Sequence, residues 1–400
     1  MSGSGLSYAD AGVDIEAGER AVALMRAHVA AAQRPETLGG LGGFAGLFDA
    51  SALKGYKHPL LATSTDGCGT KVAVAQALGV HDTIGIDLVA MIVDDLVVCG
   101  AQPLFLTDYI ACGRVHPERI AALVSGVARG CTLAGTALLG GETAEHPGLL
   151  GPDEYDLAGA GVGVVEADNL LSAELVRPGD VLVAMASSGL HCNGYSLARA
   201  VLLSEPGQRA GLSLDAAVPA AWREASTLGA QTLPSQTLGA QSGGAQTLGA
   251  QTLGQLLLTP TRIYALDCLD LLRAIPGAVR VYSHVTGGGL AANLARVLPT
   301  GLHADVDRST WQPAPVFELI STIGGVQRGE MERTFNQGIG MFAVVDPAQV
   351  ESVSSRLAEL GVSAWVCGVV RAAAPHDRSD APAKGGTGGS VTLVGHHTPA

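Results

Sequence analysis

Residues 181–203 have the sequence VLVAMASSGLHCNGYSLARAVLL. The apolar run Val181–Met185 predicts a buried strand, and the segment Tyr195–Leu203 predicts a helix. The connection between them, Ser187–Asn193, is polar and rich in small residues. A strand, a loop of small residues and a helix form the arrangement that directs free backbone N–H groups at an anion. The sequence therefore predicts an anion-binding loop in the second half of the chain.

Apolar spacing elsewhere predicts additional helices and strands. The predicted helices are Ile15–Gln33, Glu118–Ala134 and Leu290–Leu298, and the predicted strands are Leu60–Ser64 and Tyr155–Glu166. The segment Asp82–Cys99 combines β-branched residues with a helical spacing, so its pattern does not distinguish a helix from a strand.

The composition indicates a globular protein with room for two domains. The chain has 400 residues, of which 47% are hydrophobic, 15% are charged and 54 are glycine. That length exceeds the ~100 to 200 residues of a typical domain. The formal net charge of -13 disfavours nucleic acid and anionic membranes as partners, because each phosphate contact needs a cation. A phosphorylated small molecule remains compatible with this charge, since a few local cations and backbone N–H groups can bind it.

The cysteines and the N-terminal segment predict a cytoplasmic protein. Seven cysteines occur, and no two have the close CxxC spacing of metal sites. We interpret them as reduced thiols, most of them in the core. The segment Met1–Asp10 lacks the basic and apolar regions of a secretion signal, and no apolar run approaches the ~20 residues needed to cross a bilayer.

Changes in composition predict the domain boundaries. An N-terminal domain is predicted over residues 1–170 and a C-terminal domain over residues 171–373. Residues 226–254 contain imperfect copies of Gln-Thr-Leu-Gly-Ala, which offer too few large apolar side chains to offset the entropy of ordering. They predict a flexible insertion. Residues 374–400, rich in Gly, Pro, Ser and Asp, predict a disordered tail.

The segment Thr65–Lys71, with the sequence TDGCGTK, brings together groups that phosphoryl transfer uses. Asp66 could hold Mg²⁺, Lys71 could bind phosphate oxygens, and Gly67 and Gly69 would give backbone N–H groups access to a ligand. The GxxxxGK[ST] pattern of a Walker loop is absent. From the residues alone, the segment fits a surface turn with an incidental salt bridge about as well as it fits a phosphate-binding site.

A second glycine-rich segment, Gly39–Phe44, has four glycines in six residues. Such a loop lets backbone N–H groups approach a ligand closely, and it is equally typical of a surface turn. The sequence leaves both interpretations open.

Carboxylates in apolar surroundings are candidates for metal binding. Asp87, Asp94 and Asp95 lie in the otherwise apolar stretch Ile84–Cys99, and carboxylates seldom bury without a partner. One interpretation is a bound cation. The other is that Asp87 caps a helix and that Asp94 and Asp95 lie on its solvated face. Glu142 follows an apolar run and is either a further metal ligand or a polar residue at a strand end.

Two histidine-containing loops precede predicted helices. His191 lies in the first, and an imidazole near a helix N-terminus can bind phosphate or exchange protons with a substrate nitrogen. A loop histidine is more often structural. His284 and Thr286 precede Gly287–Gly289, ahead of a second predicted helix that offers another anion-binding N-terminus.

Eight segments match the ordered motifs of one enzyme family, one of them, Asp95–Pro103, through the signature of its superfamily. They are Ser7–Asp14 (SYADAGVD), Thr65–Lys71 (TDGCGTK), His81–Ala90 (HDTIGIDLVA), Asp95–Pro103 (DLVVCGAQP), Leu139–Glu145 (LGGETAE), His191–Arg199 (HCNGYSLAR), His284–Gly289 (HVTGGG) and Glu330–Met341 (EMERTFNQGIGM). Together they resemble phosphoribosylformylglycinamidine cyclo-ligase, the aminoimidazole ribonucleotide synthetase family. The resemblance spans about Ser7–Val370 and is interrupted by the repeat insertion.

The resemblance implies a two-domain subunit of the α/β class, α+β type, with a β-sheet faced by helices in each domain. It implies a homodimer in which the N-terminal sheets of two copies pair, with ATP sites at that interface. The implied reaction converts formylglycinamidine ribonucleotide and ATP into aminoimidazole ribonucleotide, ADP and phosphate in purine biosynthesis, with Mg²⁺. The formyl amide oxygen would be phosphorylated and then displaced by the amidine nitrogen.

The resemblance also implies roles for residues of this chain. The implied residues are, for catalysis, His191, Lys71 and Asp66; for nucleotide binding, Gly40, Gly42, Gly43, Gly67, Gly69, Thr70, Asn193 and Thr286; and for the metal, Asp66, Asp94 and Glu142. In these roles Lys71 and the glycine loop steady the phosphates, and His191 handles phosphate or proton transfer. Asn193 and Thr286 orient the substrate or the nucleotide.

The chain departs from the family pattern at three places. Asp94 stands where the family commonly has asparagine, Cys192 stands where it commonly has serine, and the insertion 226–254 falls where the family is compact. An additional carboxylate at residue 94 would strengthen cation binding.

Two other functions fit the same motifs. A small-molecule kinase of the same superfamily would release a phosphorylated product, whereas the cyclo-ligase releases free phosphate. A non-catalytic dimer would bind the nucleotide without turnover. Fold alone does not separate these possibilities.

Overall fold

A computed structural model describes Tyr8 and residues 11–39, 42–222 and 251–397. The chain divides into two compact units. Unit 1 comprises Met1–Ser172 and Pro260–Ala274, and unit 2 comprises Ala173–Thr259 and Ile275–Ala400. Unit 2 differs from the predicted C-terminal domain, because the segment Pro260–Ala274 belongs to unit 1.

Regular elements occupy most of the described residues. The helices are α1 Ile15–Ala31, α2 Val72–Leu78, α3 Ile84–Val97, α4 Pro117–Ala134, α5 Tyr195–Leu202, α6 Glu205–Arg209, α7 Leu253–Leu257, α8 Ala265–Ala274, α9 Gly289–Arg296, α10 Pro315–Gly324, α11 Arg328–Thr334 and α12 Val350–Glu359. The strands are β1 Thr37–Leu38, β2 Leu47–Phe48, β3 Pro59–Gly67, β4 Gln102–Cys112, β5 Ala137–Glu145, β6 Tyr155–Glu166, β7 Val181–Ala186, β8 Val279–His284, β9 Leu302–Asp307, β10 Ile339–Val345, β11 Ala364–Ala372 and β12 Ser390–Val394.

Unit 1 is built on a four-stranded sheet with the order β3-β6-β4-β5. The strands β4 and β5 are parallel, and the other pairs are antiparallel. Helix α3 packs on one face over Gly159 and Gly161, where an added Cβ would come within 2.9 and 2.6 Å of Ile92. Helix α4 packs against α3, and α1 packs against α4. The predicted helices and strands of this half are therefore confirmed as α1, α4, β3 and β6.

The ambiguous segment Asp82–Cys99 contains the helix α3, and nearly every residue of that helix is buried. Burial on several sides explains the mixed pattern, because a helix that is covered all round carries apolar residues at every position instead of along one stripe. Only the tertiary packing therefore distinguishes it from a buried strand.

Unit 2 is built on a six-stranded sheet with the order β12-β9-β11-β7-β10-β8. All pairs are antiparallel except β12 with β9. Strands β7 and β8 both run antiparallel to β10, so they point the same way. Their carboxyl ends lie at one edge of the sheet, where α5 and α9 begin.

The disordered tail predicted from residue 374 is wrong for residues 374–397. Strand β12 extends the sheet beside β9, and Val391 and Leu393 bury their side chains in the core. Asp380 Oδ2 accepts a hydrogen bond from the Leu393 N–H at 2.6 Å, which ties the preceding loop to the strand. The Gly- and Pro-rich loop obscures this short strand in the sequence. Residues 398–400 lie outside the described residues.

The end of the flexible insertion, predicted at residue 254, is placed too late. Thr252 bridges to Ala217 and caps α7, since its Oγ1 accepts from the Gln255 N–H at 3.2 Å. Residues 251–254 are thus part of the folded unit. The remainder of the predicted insertion, 226–250, lies outside the described residues.

Two further features concern the chain as a whole. All seven cysteines are free thiols and six of them are buried, as predicted. Among the described helices, none combines the length and the apolar character needed to span a membrane.

Candidate functional site

The segment Thr65–Lys71 forms the end of β3 and a short 3₁₀ turn that leads into α2. Asp66 Oδ1 accepts a hydrogen bond from the Gly67 N–H at 2.7 Å, which fixes the carboxylate at the strand end. Gly69 has a φ of 58°, in the left-handed region that favours glycine, and it is exposed together with Thr70. The turn therefore presents Gly69 and Thr70 to solvent.

Lys71 points inward from this turn. Its Nζ lies 2.8 Å from Asp87 Oδ1, and both side chains are 0% exposed. The same Oδ1 accepts from the Thr261 N–H at 2.8 Å and from the Thr261 hydroxyl at 2.5 Å. A buried ammonium without an anion would be costly, so the ion pair satisfies both charges. The predicted contact of Lys71 with phosphate is therefore wrong for this structure, because no part of its side chain reaches solvent.

Asp94 is also fully buried, and its Oδ1 accepts a hydrogen bond from the Tyr264 N–H at 2.9 Å. Asp87 and Asp94 are seven residues apart, which is close to two helical turns, so they lie on the same side of α3. Together they bind the backbone of the segment 261–264. Both interpretations offered by the sequence are thus replaced by a third, in which these carboxylates anchor a distant part of the chain. Asp95 alone is exposed, as the solvated-face interpretation predicts.

The three carboxylates predicted to bind Mg²⁺ do not come together in this chain. Among the described residues, no group of three or more His, Cys, Asp or Glu side chains could hold a metal ion. Asp66 pairs with Gly159, which pairs in turn with Asp108. These opposed residues share the face of the sheet that α3 covers.

Glu142 lies on the opposite face, because it follows Gly141, the partner of Asp108 in β5. Asp94 points in yet another direction. Ile92 contacts the sheet, and a position two residues later is rotated by about 200° around the helix. The three-carboxylate metal site is therefore wrong as a site formed by the described residues.

The glycine loop that precedes β2 is partly described. Gly40 lies outside the described residues. Gly42 has a φ of 110° and nothing within 4 Å of an added Cβ, and Gly43 is exposed. The described part of the loop is open to a ligand, and nucleotide binding there stays a prediction.

Asp108 is a buried carboxyl that sequence reasoning missed. It is 8% exposed, and burial raises its pKa to about 7. Within the described residues Oδ2 has no hydrogen-bond partner, and a Cβ added to Gly141 would lie 1.7 Å from Oδ1. One acidic residue in an apolar strand gives no sequence signal for a raised pKa, because the burial that raises the pKa comes from the helices that cover the sheet.

Three loops meet at the edge of the unit 2 sheet where β7 and β8 end and β10 begins. Asn336, just before β10, binds the loop after β7. Its Oδ1 accepts from the Ser187 hydroxyl at 3.2 Å, and its Nδ2 donates to the Gly189 carbonyl at 2.8 Å. The carboxamide therefore holds the loop after β7 in a single conformation.

His191 lies inside this arrangement and not at its surface. Its side chain is 2% exposed, and its Nε2 accepts the Ser188 N–H at 3.0 Å. In a neutral imidazole this bond assigns the proton to Nδ1. The predicted direct contact of His191 with a substrate is therefore wrong for this conformation, because the ring is covered by protein.

Backbone strain is concentrated in the same loops. Among the described residues, the two non-glycine residues with a positive φ are His191, at 62°, and Gln337, at 50°. Such conformations persist only where the surrounding structure determines them, and they occur preferentially at functional sites.

Asn193 and Thr286 lie in neighbouring loops, and their role in orienting a ligand stays a prediction. A Cβ added to Gly287, next to Thr286, would lie 3.3 Å from Asn193 Oδ1. The Thr286 hydroxyl donates to Asn293 Oδ1 at 3.2 Å, and Lys384 Nζ donates to Thr286 Oγ1 at 3.0 Å. The loops after β7 and β8 thus form one polar surface, in which Asn193 is half-buried and Thr286 is 8% exposed.

Asn293, Asn336 and Lys384 were not predicted to belong to a site. Asn336 lies in the matched segment Glu330–Met341, so the motif gave a signal for it. Asn293 lies within a helix and Lys384 within the tail predicted to be disordered. The contact of Lys384 with Thr286 spans 98 residues and has no local signature, whereas the contacts of Asn293 lie within 7 residues along the chain.

The chain matches two family models. The N-terminal domain of the "AIR synthase related protein" family matches residues 48–165, and its C-terminal domain matches residues 177–377. These matches include the turn at Lys71 and all three loops at the edge of the unit 2 sheet.

Named relatives are similar over nearly the whole chain. The phosphoribosylformylglycinamidine cyclo-ligase of Geobacillus sp. (strain WCH70) is 44% identical over 365 residues, which are 91% of this chain and 95% of that relative. The protein of the same name from Anaeromyxobacter sp. (strain Fw109-5) is 46% identical over 365 residues, or 91% and 96% of the two chains.

Solved structures confirm the fold class. Thiamine-monophosphate kinase from Stenotrophomonas maltophilia K279a has a TM-score of 0.58 and 17% identity, over 93% of this chain and 95% of that chain. E. coli HypE has a TM-score of 0.59 and 19% identity, over 94% of each chain. At such identities the likeness shows the fold alone.

Proposed function

Because the chain belongs to the phosphoribosylformylglycinamidine cyclo-ligase family and is a ligase of purine biosynthesis, we propose that it converts formylglycinamidine ribonucleotide into aminoimidazole ribonucleotide. The reaction would consume ATP and release ADP and phosphate. The observation that carries the proposal is the polar surface formed at one edge of the unit 2 sheet by Asn193, Thr286 and their neighbours.

The chemical difficulty of the reaction is that an amide oxygen is a poor leaving group. ATP would supply the phosphoryl group that makes the formyl oxygen leave as phosphate when the amidine nitrogen attacks the same carbon. For ring closure the chain must hold the formyl and amidine groups in contact. Loops fixed by hydrogen bonds suit this task. Because such a site is already ordered, no conformational entropy of the loops is lost when the two groups react.

In unit 2 we propose that Asn193 and Thr286 orient the substrate. Asn336 and His191 would act as positioning residues, since each holds the loop after β7 through a hydrogen bond and neither needs to touch the substrate. Asn293 would do the same for the loop after β8, because its Nδ2 donates to the Thr286 and Gly289 carbonyls at 3.1 and 2.7 Å.

In unit 1 we propose that Gly42, Gly43, Gly69 and Thr70 bind the nucleotide phosphates, since all four are exposed in loops. Gly67 would contribute by keeping the backbone clear at the strand end, and Asp66 would face the nucleotide from there. Lys71 would be a positioning residue, because its buried bond to Asp87 holds the turn that exposes Gly69 and Thr70.

Magnesium would arrive with the nucleotide. The described carboxylates do not form a metal site of their own, so Asp94 and Glu142 are not proposed as its ligands. Asp94 instead stabilises unit 1 through Tyr264.

We also propose that two copies of this chain pair through the open face of the unit 1 sheet, which is the face opposite α3. Leu61 of β3 and Tyr109 of β4 lie on that face and are 66% and 41% exposed. Large apolar side chains exposed on a sheet face favour burial against a partner. The pairing of two such faces would remove both residues from water.

The direct test is incubation of the purified chain with formylglycinamidine ribonucleotide and MgATP. We expect the aminoimidazole product, which is detected by diazotisation, and one free phosphate for each product molecule. A phosphorylated ribonucleotide without free phosphate would indicate a kinase. Nucleotide binding without either product would indicate the non-catalytic dimer.

Variants of Thr286 connect the activity to the proposed surface. Thr286→Val removes the hydroxyl without changing the shape of the side chain, and we expect kcat/KM to fall about tenfold or more. Thr392→Val is the matched control, because the Thr392 hydroxyl bonds only to the Arg378 carbonyl among the described contacts. Equal activity of the two variants would exclude Thr286 from the site.

A further inference from the structure

Unit 2 contains a single lysine in its whole sequence. Lys384 is that residue, and the other lysines of the chain, Lys54, Lys57 and Lys71, belong to unit 1. Lys384 lies in the loop between β11 and β12, and its side chain is exposed. Its backbone N–H donates to the Ala292 carbonyl of α9 at 3.0 Å. The loop is therefore fixed along α9, although its composition predicted disorder.

The side chain of Lys384 extends from this anchor to the loop after β8. Its Nζ donates to Thr286 Oγ1 at 3.0 Å, and the Thr286 hydroxyl donates onward to Asn293 Oδ1. An ammonium has three N–H donors, so two remain for other acceptors. In the described part of the chain, Lys384 forms no ion pair with a carboxylate. Its charge is thus not neutralised locally.

The position of this ammonium coincides with the proposed substrate surface. Thr286 stands directly before Gly287–Gly289, where α9 begins, and Asn193 lies against Gly287. The first turn of a helix also carries free N–H groups and partial positive charge. A cation and these donors are the features that bind a phosphate group.

The charge of the protein makes this cation important. A chain with a formal net charge of -13 repels phosphorylated ligands at long range. A local positive charge is needed to overcome that repulsion at the binding surface. Residue 384 lies beyond residues 177–377, which the C-terminal family model matches, so that match assigns it no role.

We propose that Lys384 binds a phosphate group of the ligand that Thr286 and Asn193 orient. The inference rests on the proposed function and extends it to the tail of the chain. The ligand class is a phosphate ester, which includes both the 5′-phosphate of the ribonucleotide and the phosphates of ATP. Lys384 is a binding residue in this proposal and takes no part in breaking or forming bonds.

The first test measures the reactivity of the lysines in the intact chain and needs no turnover. An amine-acetylating reagent is applied at limiting concentration with increasing ribose 5-phosphate or ATP, and peptide mass spectrometry gives the rate at each lysine. We expect a phosphate ester to slow acetylation of Lys384 by about fivefold or more, because the amine is occupied. Exposed Lys54 and Lys57 serve as internal controls in the ribose 5-phosphate arm.

The outcomes separate the two sources of phosphate. Slower acetylation with ribose 5-phosphate assigns Lys384 to the monophosphate of the substrate, and slower acetylation with ATP alone assigns it to the nucleotide. An unchanged rate with both ligands overturns the proposal. Protection of Lys384 in a chain that makes no aminoimidazole product would refute the proposed function and leave this inference standing.

The second test uses Lys384→Gln and Lys384→Arg. We expect the glutamine variant to raise the KM for the protecting ligand about tenfold, with kcat within about twofold of the parent, because a charge-assisted bond is lost on binding. The arginine variant keeps the charge and should restore most of the affinity. Lys54→Gln is the matched control. A KM for Lys384→Gln equal to that of Lys54→Gln contradicts the proposal.

Discussion

Asp108 is expected to make the stability of unit 1 fall as the pH rises. Its carboxyl is 8% exposed, one of its oxygens lacks a partner among the described residues, and burial raises its pKa to about 7. The nearby titratable group on α4 is Cys131, whose pKa is also raised by burial, and among the described residues no ion pair with a cation offsets the charge of Asp108. The folded state therefore favours the protonated form.

The sign and the size of the effect follow from linkage. The folded pKa of about 7 lies above the unfolded value of 3.8, so the unfolded state loses its proton first. The contribution of Asp108 is fully present below pH 3.8 and is lost as the pH rises towards 7. Between pH 5 and pH 8 the predicted loss in the free energy of unfolding is about 2.5 kcal/mol.

The assay must report on unit 1, and tryptophan fluorescence does not. All three tryptophans, Trp222, Trp311 and Trp365, belong to unit 2. Hydrogen exchange of peptides from β4 and β5, followed by mass spectrometry, measures the opening of the correct sheet. The comparison is between the parent and Asp108→Asn, which cannot ionise and keeps the shape of the side chain.

We expect the ratio of protection factors, Asp108→Asn over parent, to increase on the order of 70-fold from pH 5 to pH 8. Dividing the two proteins at each pH cancels the intrinsic dependence of exchange on pH. Asp168→Asn, at an exposed position of unit 1, should show a ratio independent of pH. An equally constant ratio for Asp108→Asn would refute the reasoning, because Asp108 would then be ionised in both states.

Three further predictions follow from other contacts. Lys71→Met leaves Asp87 buried without its cation, so we expect the free energy of unfolding, measured by hydrogen exchange, to fall by about 3 to 5 kcal/mol. The double variant Lys71→Met with Asp87→Asn should recover part of this loss. Leu61→Asp should convert the proposed homodimer into monomers, as measured by light scattering. Leu175→Asp, in unit 2, should leave the protein dimeric. Dimers of both variants would exclude the open face of the unit 1 sheet as the dimer interface. Asn336→Ala frees the loop after β7, so kcat/KM should fall about tenfold or more with a smaller effect on stability, and unchanged kinetics would remove Asn336 from the positioning network.

Much of the fold could be predicted from local spacing. Helix α4 has one apolar stripe and begins at Pro117, and β7 is a short apolar run bounded by turns. Such elements are determined by residues close in sequence, so their pattern is complete before folding. The family also followed from the sequence, because eight ordered motifs are specific where a single glycine loop is not.

The candidate site was predicted less completely. Asn193 and Thr286 were predicted to serve one site, and their loops meet because β7 and β8 run the same way in the sheet. The sequence showed that Lys71 and Asp94 are unusual, without showing their partners. Asp87 meets Thr261 across 174 residues, and Asp94 meets Tyr264 across 170. No local pattern encodes such pairs.

The sequence by itself determined the family, the class of fold and most of the regular elements of this protein. Only the tertiary structure decided that Lys71, Asp94 and His191 are covered by protein, and that Lys384 reaches Thr286 from a tail with the composition of a disordered segment. The reason is physical. Helices and strands depend on neighbours along the chain, whereas the burial of a charge and the partner that satisfies it depend on segments that only folding brings together.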